Sequence, residues 1–121
     1  MKAWFAQIGE IDQRRAVSGK SYREFLRVPS MSAGMYVLPA GATDPQRPHH
    51  EDEMYFVVRG KARFKAGDED REISAGSVLF VAAEVEPLPR HRGGTRGDGL
   101  LRARGKLDLS CLRCHLCAGI Q

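Results

Sequence analysis

The stretch that decides the fold runs from residue 47 to residue 60 and reads Arg47-Pro48-His49-His50-Glu51-Asp52-Glu53-Met54-Tyr55-Phe56-Val57-Val58-Arg59-Gly60. It places two imidazoles just before the carboxylate of Glu53, which opens an apolar and aromatic run. Histidine nitrogen and glutamate oxygen are natural ligands of first-row divalent metals, and an alternating strand can direct such side chains to one face of a small barrel. The stretch therefore predicts metal-ligand chemistry at the beginning of a strand.

Further apolar runs of strand length recur along the chain, and each is bounded by turn residues. Short strands at regular spacing, separated by Gly, Asp and Pro turns, indicate an all-β sandwich or barrel. Before them, a polar stretch over residues 10–18 followed by Gly19 predicts a short surface helix. The predicted strands cover residues 22–28, 35–39, 54–58, 62–66 and 78–82.

The basic residues are concentrated at the C-terminal end of the chain. Residues 1–86 carry 12 Lys and Arg against 13 Asp and Glu, whereas residues 87–121 carry 7 against 2, within a total net charge of +4. The second segment also holds all three cysteines, and it begins with a Gly-, Pro- and Arg-rich stretch that has no strand or helix period. In a chain of 121 residues we therefore predict one barrel domain over residues 1–86, with its last strands missing, and a basic, irregular tail over residues 87–121.

The order of Gly41, His49, Glu53 and Gly60, followed by the run over residues 76–82, resembles the two sequence motifs of the cupin superfamily. This resemblance implies a double-stranded β-helix, the jelly-roll barrel of that family, behind the short N-terminal helix. It covers roughly residues 8–86 and is specific in both order and spacing.

In the first cupin motif, two histidines one residue apart precede the glutamate. His49 and Glu53 fit this pattern, but Arg47 stands where the first histidine is expected. The resemblance implies that His49 and Glu53 are metal ligands, with Gln46 and His50 as assisting ligands. The implied cofactor is a divalent transition metal (Fe, Mn, Ni or Zn), and the incomplete ligand set predicts weak affinity.

The second cupin motif is expected to end in a histidine, but Pro87 occupies that place. One hypothesis accounts for the tail: an extra base between the codons of Glu86 and Pro87. With suitably chosen third bases, the codons of residues 87–101 can be reread one base on as a histidine, a polar turn and an alternating apolar strand. Sequencing the gene tests this frameshift hypothesis.

Two functions follow from the resemblance, and catalytic residues stay unknown because the fold alone does not choose a reaction. The leading one is binding of a divalent metal and a small polar ligand inside the barrel. The alternative is a non-catalytic, metal-free module of the same fold that binds a ligand or a partner. The resemblance also implies a homodimer, which would cover a strand edge left exposed by an unfinished barrel.

The C-terminal segment carries one further motif. Cys111, Cys114 and His115 form a Cys-x-x-Cys-His string of the kind that attaches haem or binds zinc, and we interpret it, together with Cys117, as coincidental. The basic tail lacks interleaved aromatic residues, so no specific nucleic-acid partner is indicated. No apolar stretch is long enough for a membrane span and no secretory signal is evident, so we expect a cytoplasmic protein.

Overall fold

One helix and nine strands make up the described part of the computed structural model, which comprises residues 2–46, 51–66, 68–83 and 99–116. In chain order the elements are α1 (Ile8–Ser18), β1 (Tyr22–Val28), β2 (Met31–Leu38), β3 (Thr43–Gln46), β4 (Asp52–Arg59), β5 (Lys61–Ala66), β6 (Glu69–Ser74), β7 (Val78–Val81), β8 (Gly99–Arg104) and β9 (Leu109–Leu116).

The strands form two antiparallel sheets. One has five strands in the order β1-β2-β9-β4-β7, and the other has four in the order β3-β8-β5-β6. In the larger sheet β9 lies between β2 and β4 and pairs with both along most of its length. Segments distant in sequence are therefore hydrogen-bonded neighbours, as expected for a jelly roll.

The core lies between the two sheets and follows the period of two that a strand imposes. In β4 the side chains of Glu53, Tyr55 and Val57 are buried, whereas Met54 and Phe56 point to the opposite face and are exposed. Burying an aliphatic core side chain contributes about 1.5–3 kcal/mol. The buried apolar cluster consists of Tyr36, Leu38, Tyr55, Val57, Ala62, Phe64, Ile73, Leu101, Ala103, Leu109 and Cys111.

The turn between β4 and β5 depends on Gly60. Its φ of 92° lies in the left-handed region that favours glycine. A Cβ at this position would also lie 2.5 Å from the backbone oxygen of Asp108, just before β9. Gly60 thus permits both the tight turn and the close approach of the chain that leads into β9.

The predicted all-β fold is confirmed, and so are the short helix and the five strands anticipated from the sequence. The helix ends at Ser18, just before Gly19, which adopts the left-handed conformation typical of a helix C-terminus. Two further strands, β3 and β6, form where the sequence indicated turns.

Over residues 99–116 the structure is regular, whereas the sequence predicted an irregular tail. This part of the tail supplies β8 and β9, and β9 is an inner strand of the larger sheet. Leu101, Leu109 and Cys111 are at most 1% exposed, so residues 99–116 contribute side chains to the core. Residues 84–98, which include Pro87, lie outside the described residues.

The helix α1 packs loosely on the outside of the barrel. None of its side chains is fully buried, and Val17 is 82% exposed. Within the part of the chain that the structure describes, no helix has the length and apolar character needed to cross a membrane.

Candidate functional site

A buried carboxylate, that of Glu53, is the centre of the polar cluster inside the barrel. The side chain lies on the inward face of β4 and is 1% exposed. The Tyr55 hydroxyl donates to its Oε1 atom at 3.2 Å, and Arg113 approaches its Oε2 atom with Nε at 3.1 Å and Nη2 at 3.0 Å. His115 contacts the same Oε2 atom through Nε2. A buried charge needs such partners, because an unpaired carboxylate in an apolar interior is costly.

The strand register explains why these side chains meet. In the pairing of β4 with β9, Glu53 lies opposite His115 and Tyr55 lies opposite Arg113. Residues directly opposite on one face of an antiparallel pair have their Cβ atoms about 4.5–5.5 Å apart. The two strands thus place a carboxylate, a phenol, a guanidinium and an imidazole on one inward surface.

Two tyrosine rings contact the Arg113 guanidinium. Its central carbon lies 5.1 Å from the centre of the Tyr22 ring and 5.7 Å from that of Tyr55, which is within cation–π range. Burial raises the pKa of both phenols, so both rings are neutral near pH 7. We define the Glu53 cluster as Glu53, Arg113, His115, Tyr22 and Tyr55.

The position of the Tyr22 ring depends on a glycine in the neighbouring strand. Gly34 lies on β2, opposite Arg113 in the pairing of β2 with β9 and opposite Glu24 in the pairing of β1 with β2. A Cβ on Gly34 would overlap the Tyr22 ring. The absence of a side chain therefore lets the ring cross β2 and reach Arg113.

A second polar contact lies nearby on the same inward surface. The Tyr36 hydroxyl donates to Oδ2 of Asp44 in β3, joining the two sheets. Burial, supported by the hydrogen bond, raises the pKa of Tyr36 well above its usual range. The rings of Tyr36 and Tyr22 are 6.5 Å apart, so this contact borders the Glu53 cluster.

The sequence-predicted ligands are only partly placed by the structure. Glu53 is buried and directed inward as expected. His49 and His50 lie outside the described residues, and Gln46 is located only as the end of β3, where it pairs with Gly99. The ligand roles of His49, His50 and Gln46 stay predictions.

The residues around Glu53 do not by themselves fit a divalent metal. Within the described ranges, no group of three His, Cys, Asp or Glu side chains converges as a metal site would require. Glu53 and His115 have suitable donor atoms, but Arg113 occupies the Oε2 atom of the carboxylate. A cation bound to this atom would face the guanidinium charge.

The cysteine string does not assemble a site over its described part. Cys111 and Cys114 are three residues apart on β9, and strand alternation directs them to opposite faces. Cys111 lies in the core at 1% exposure, where burial raises the pKa of its thiol to about 12. Two thiols on opposite faces of one strand cannot bind the same metal ion. Cys117 lies outside the described residues, so the coincidental interpretation of the string stays a prediction.

Sequence reasoning missed Arg113 and His115 as partners of Glu53. Both lie in a segment expected to be irregular, and only the pairing of β9 with β4 brings them to the carboxylate. One signal was present: the odd-numbered residues from Leu109 to His115 all face inward, with apolar residues first and charged or polar ones last.

Comparison with known proteins identifies the family. The model of the cupin domain family matches residues 34–103, which is more than half of the chain. The chain belongs to the cupin family. An uncharacterized protein from Streptomyces coelicolor is 45% identical to this cupin over 85 residues, or 70% of this chain and 79% of that protein.

Solved structures similar to this cupin share its fold. A Bacillus halodurans protein superposes with a TM-score of 0.74 at 12% identity, over 99% of this chain and 85% of that one. A cupin 2 conserved barrel domain protein from Salinispora arenicola gives 0.62 at 14% identity, covering 80% and 75%. The cupin domain of Schizosaccharomyces pombe Cnp3 gives 0.61 at 18% identity, covering 78% of this chain and 62% of that chain, which is less than two thirds.

Cupin-domain proteins commonly bind a metal or a small ligand. The Glu53 cluster is a buried polar site within the described part of the barrel.

Proposed function

We propose that this cupin binds a small polar ligand inside its barrel, at the Glu53 cluster, without a metal ion. The observation that carries the proposal is the set of contacts of the Glu53 carboxylate, which accepts from Tyr55 and pairs with Arg113 at 3.0 Å. The guanidinium charge beside the carboxylate opposes the binding of a cation to Oε2. The fixed charges and donors are instead suited to orienting a polar molecule.

The accessibility of the cluster supports a binding role. Glu53 is 1% exposed, whereas the side chains of Arg113 and His115 retain 22% and 15% of their exposure. The Glu53 carboxylate therefore forms the buried end of the cluster. The partly exposed side chains of Arg113 and His115 offer polar atoms to a bound molecule. A preformed site of this kind loses little conformational entropy on binding.

The test uses chelator-treated protein and a panel of small probes comprising glucose, acetamide, acetate, benzamide, benzoate and inorganic phosphate. Amide proton–nitrogen spectra report binding, and we expect at least one probe to shift resonances of β4 and β9. Arg113→Gln should remove these shifts, whereas the control Arg63→Gln, at an exposed ion pair with Asp70, should keep them. If no probe shifts these resonances until a divalent metal is added, the metal-free function is wrong.

The second candidate is the metal site predicted from the sequence, with His49 and Glu53 as ligands and Gln46 and His50 as assistants. The contact of the His115 imidazole with Glu53 favours it, because these are donor types that transition metals accept. Elemental analysis of the purified protein beside His49→Ala is the test, with His91→Ala as the control. A stoichiometric metal lost only from His49→Ala would replace the metal-free function with this one.

A further inference from the structure

We propose that the ligand of the Glu53 cluster is a small organic carboxylate, bound by the edge of the Arg113 guanidinium that faces away from Glu53. This inference rests on the ligand-binding function proposed above and adds the chemical class of the ligand.

The two hydrogen-bonding edges of Arg113 are used differently. Its Nε and Nη2 atoms both approach Oε2 of Glu53, at 3.1 and 3.0 Å, which occupies the side edge of the planar group. A guanidinium carries five N–H donors, and its end edge presents one hydrogen of Nη1 and one of Nη2 in parallel. Among the described residues, the Nη1 atom has no hydrogen-bond partner.

The end edge matches a carboxylate in geometry and charge. Two parallel N–H groups bind the two oxygens of a carboxylate in the fork arrangement that makes arginine pairs strong. The Arg113 side chain is 22% exposed, so part of it is accessible to solvent. An unpaired donor at a partly buried cation is therefore an anion-binding feature.

The aromatic rings keep this edge in place. Tyr22 and Tyr55 both contact the guanidinium, at 5.1 and 5.7 Å from their ring centres, and Glu53 fixes its other side. The guanidinium is thus oriented before the ligand arrives, which reduces the entropic cost of binding.

The surroundings favour a monoanion with an apolar part over a phosphate dianion. One guanidinium faces the ligand, and it already shares its charge with Glu53, so a second negative charge would be poorly compensated. The rings of Tyr22 and Tyr55 contact the guanidinium. They provide apolar surface for the organic part of the ligand.

The experiment compares benzoate with its neutral isostere benzamide, and with inorganic phosphate, on chelator-treated protein. Titrations followed by amide spectra measure each affinity. We expect benzoate to bind at least tenfold more tightly than benzamide and phosphate, and Arg113→Gln to weaken benzoate binding at least tenfold. Arg113→Lys keeps the charge but lacks the fork, so it is expected to recover only part of the affinity, whereas Arg63→Gln is expected to leave it unchanged.

Arg113→Gln could also lose benzoate binding because the unpaired Glu53 carboxylate unfolds the barrel. The double variant Glu53→Gln/Arg113→Gln removes that charge as well, and its spectrum shows directly whether the fold persists. A folded double variant that still binds benzoate like the wild type would overturn the role of Arg113.

The remaining outcomes separate this inference from the proposed function. Benzamide or glucose binding as tightly as benzoate would refute the carboxylate inference while leaving a metal-free ligand site in the barrel. Phosphate binding more tightly than benzoate would reassign the site to phosphate compounds. A failure of every probe on the metal-free protein would refute the inference and the proposed function together.

Discussion

His115 lies directly opposite Glu53 in the pairing of β4 with β9, and its Nε2 atom contacts Oε2 of the buried carboxylate. Glu53 comes from the motif that identified the family, whereas His115 comes from the basic segment near the end of the chain. The contact joins the two parts of the sequence that composition separates most clearly. The last strand therefore completes both the larger sheet and the polar site within it.

Replacing Glu53 by Gln should destabilise the protein strongly. Removing one partner of a buried ion pair leaves the other charge uncompensated, and we expect Glu53→Gln to lower the free energy of unfolding by about 3 kcal/mol. Asp70→Asn is the matched control, because the Arg63–Asp70 pair has a 2.7 Å contact but each side chain is 46% exposed. That exposed pair should contribute less than about 1 kcal/mol. Urea unfolding of both variants measures the difference, and equal losses would contradict the structural role of Glu53.

A methyl group at residue 34 should disrupt the cluster through Tyr22. Because a Cβ there would overlap the Tyr22 ring, Gly34→Ala is expected to lower stability by about 1–3 kcal/mol, the usual cost of overpacking. In a Tyr22→Ala background the same substitution should cost clearly less, and a double-mutant cycle of thermal unfolding measures this coupling. Gly9→Ala, where a Cβ meets nothing within 4 Å, is the control that should not destabilise. Additive effects of Gly34→Ala and Tyr22→Ala would argue against the ring contact.

The two described cysteines should differ in reactivity. In a Cys117→Ser background at pH 8, a thiol reagent is expected to modify Cys114, which is partly accessible on the outward face of β9, and to spare Cys111, which is 1% exposed. Thiolate is the reactive form, and burial raises the pKa of Cys111 to about 12. Mass spectrometry of the modified peptides gives the order of reaction. Modification of Cys111 at the same rate in folded protein would show that it does not lie in the core.

Burial of the Cys111 thiol should make the protein less stable as the pH rises into the alkaline range. The folded pKa of Cys111 is raised above its unfolded value of 9.0, so its contribution is complete below about pH 9 and is lost as the pH rises towards 12. The slope for one thiol is at most about 1.4 kcal/mol per pH unit. In a Cys114→Ser/Cys117→Ser background, Cys111→Ala should flatten the decline of stability between pH 9 and 10. Unfolding by denaturant at each pH measures it, and an unchanged slope would contradict the prediction.

The sequence predicted the fold where apolar and charged residues alternate cleanly, as with Ala62 and Phe64 between the basic residues of β5. It did not predict β6, because only Ile73 in that strand is buried and a single residue shows no period. In β9 both faces carry apolar side chains, and the inward face changes from Leu109 and Cys111 to charged and polar residues, so alternation is obscured. The spacing of residues along the sequence could not identify Arg113 and His115 as partners of Glu53. Only the long-range pairing of β9 with β4 brings them together.

The frameshift hypothesis makes a separate prediction about metal binding. A chain with the frame restored after Glu86 would regain the histidine that the second cupin motif lacks, and it would lose Arg113, which occupies Oε2 of Glu53. We therefore expect the restored chain to hold more divalent metal than the present chain when both are purified and analysed together. Equal metal content in the two proteins would show that the tail does not affect metal binding.

The outward face of the larger sheet should mediate self-association. Met54 pairs with Phe80 and Phe56 pairs with Val78, and these four apolar side chains are 45–59% exposed. A contiguous apolar patch of this kind on a sheet marks an interaction surface, and a second copy offers an equally apolar face. Light scattering should detect a dimer, and Phe56→Lys should convert it to monomer because a buried lysine would lack a partner. Val17→Lys, on the exposed face of α1, should leave the dimer intact; a strictly monomeric wild-type protein would refute the prediction.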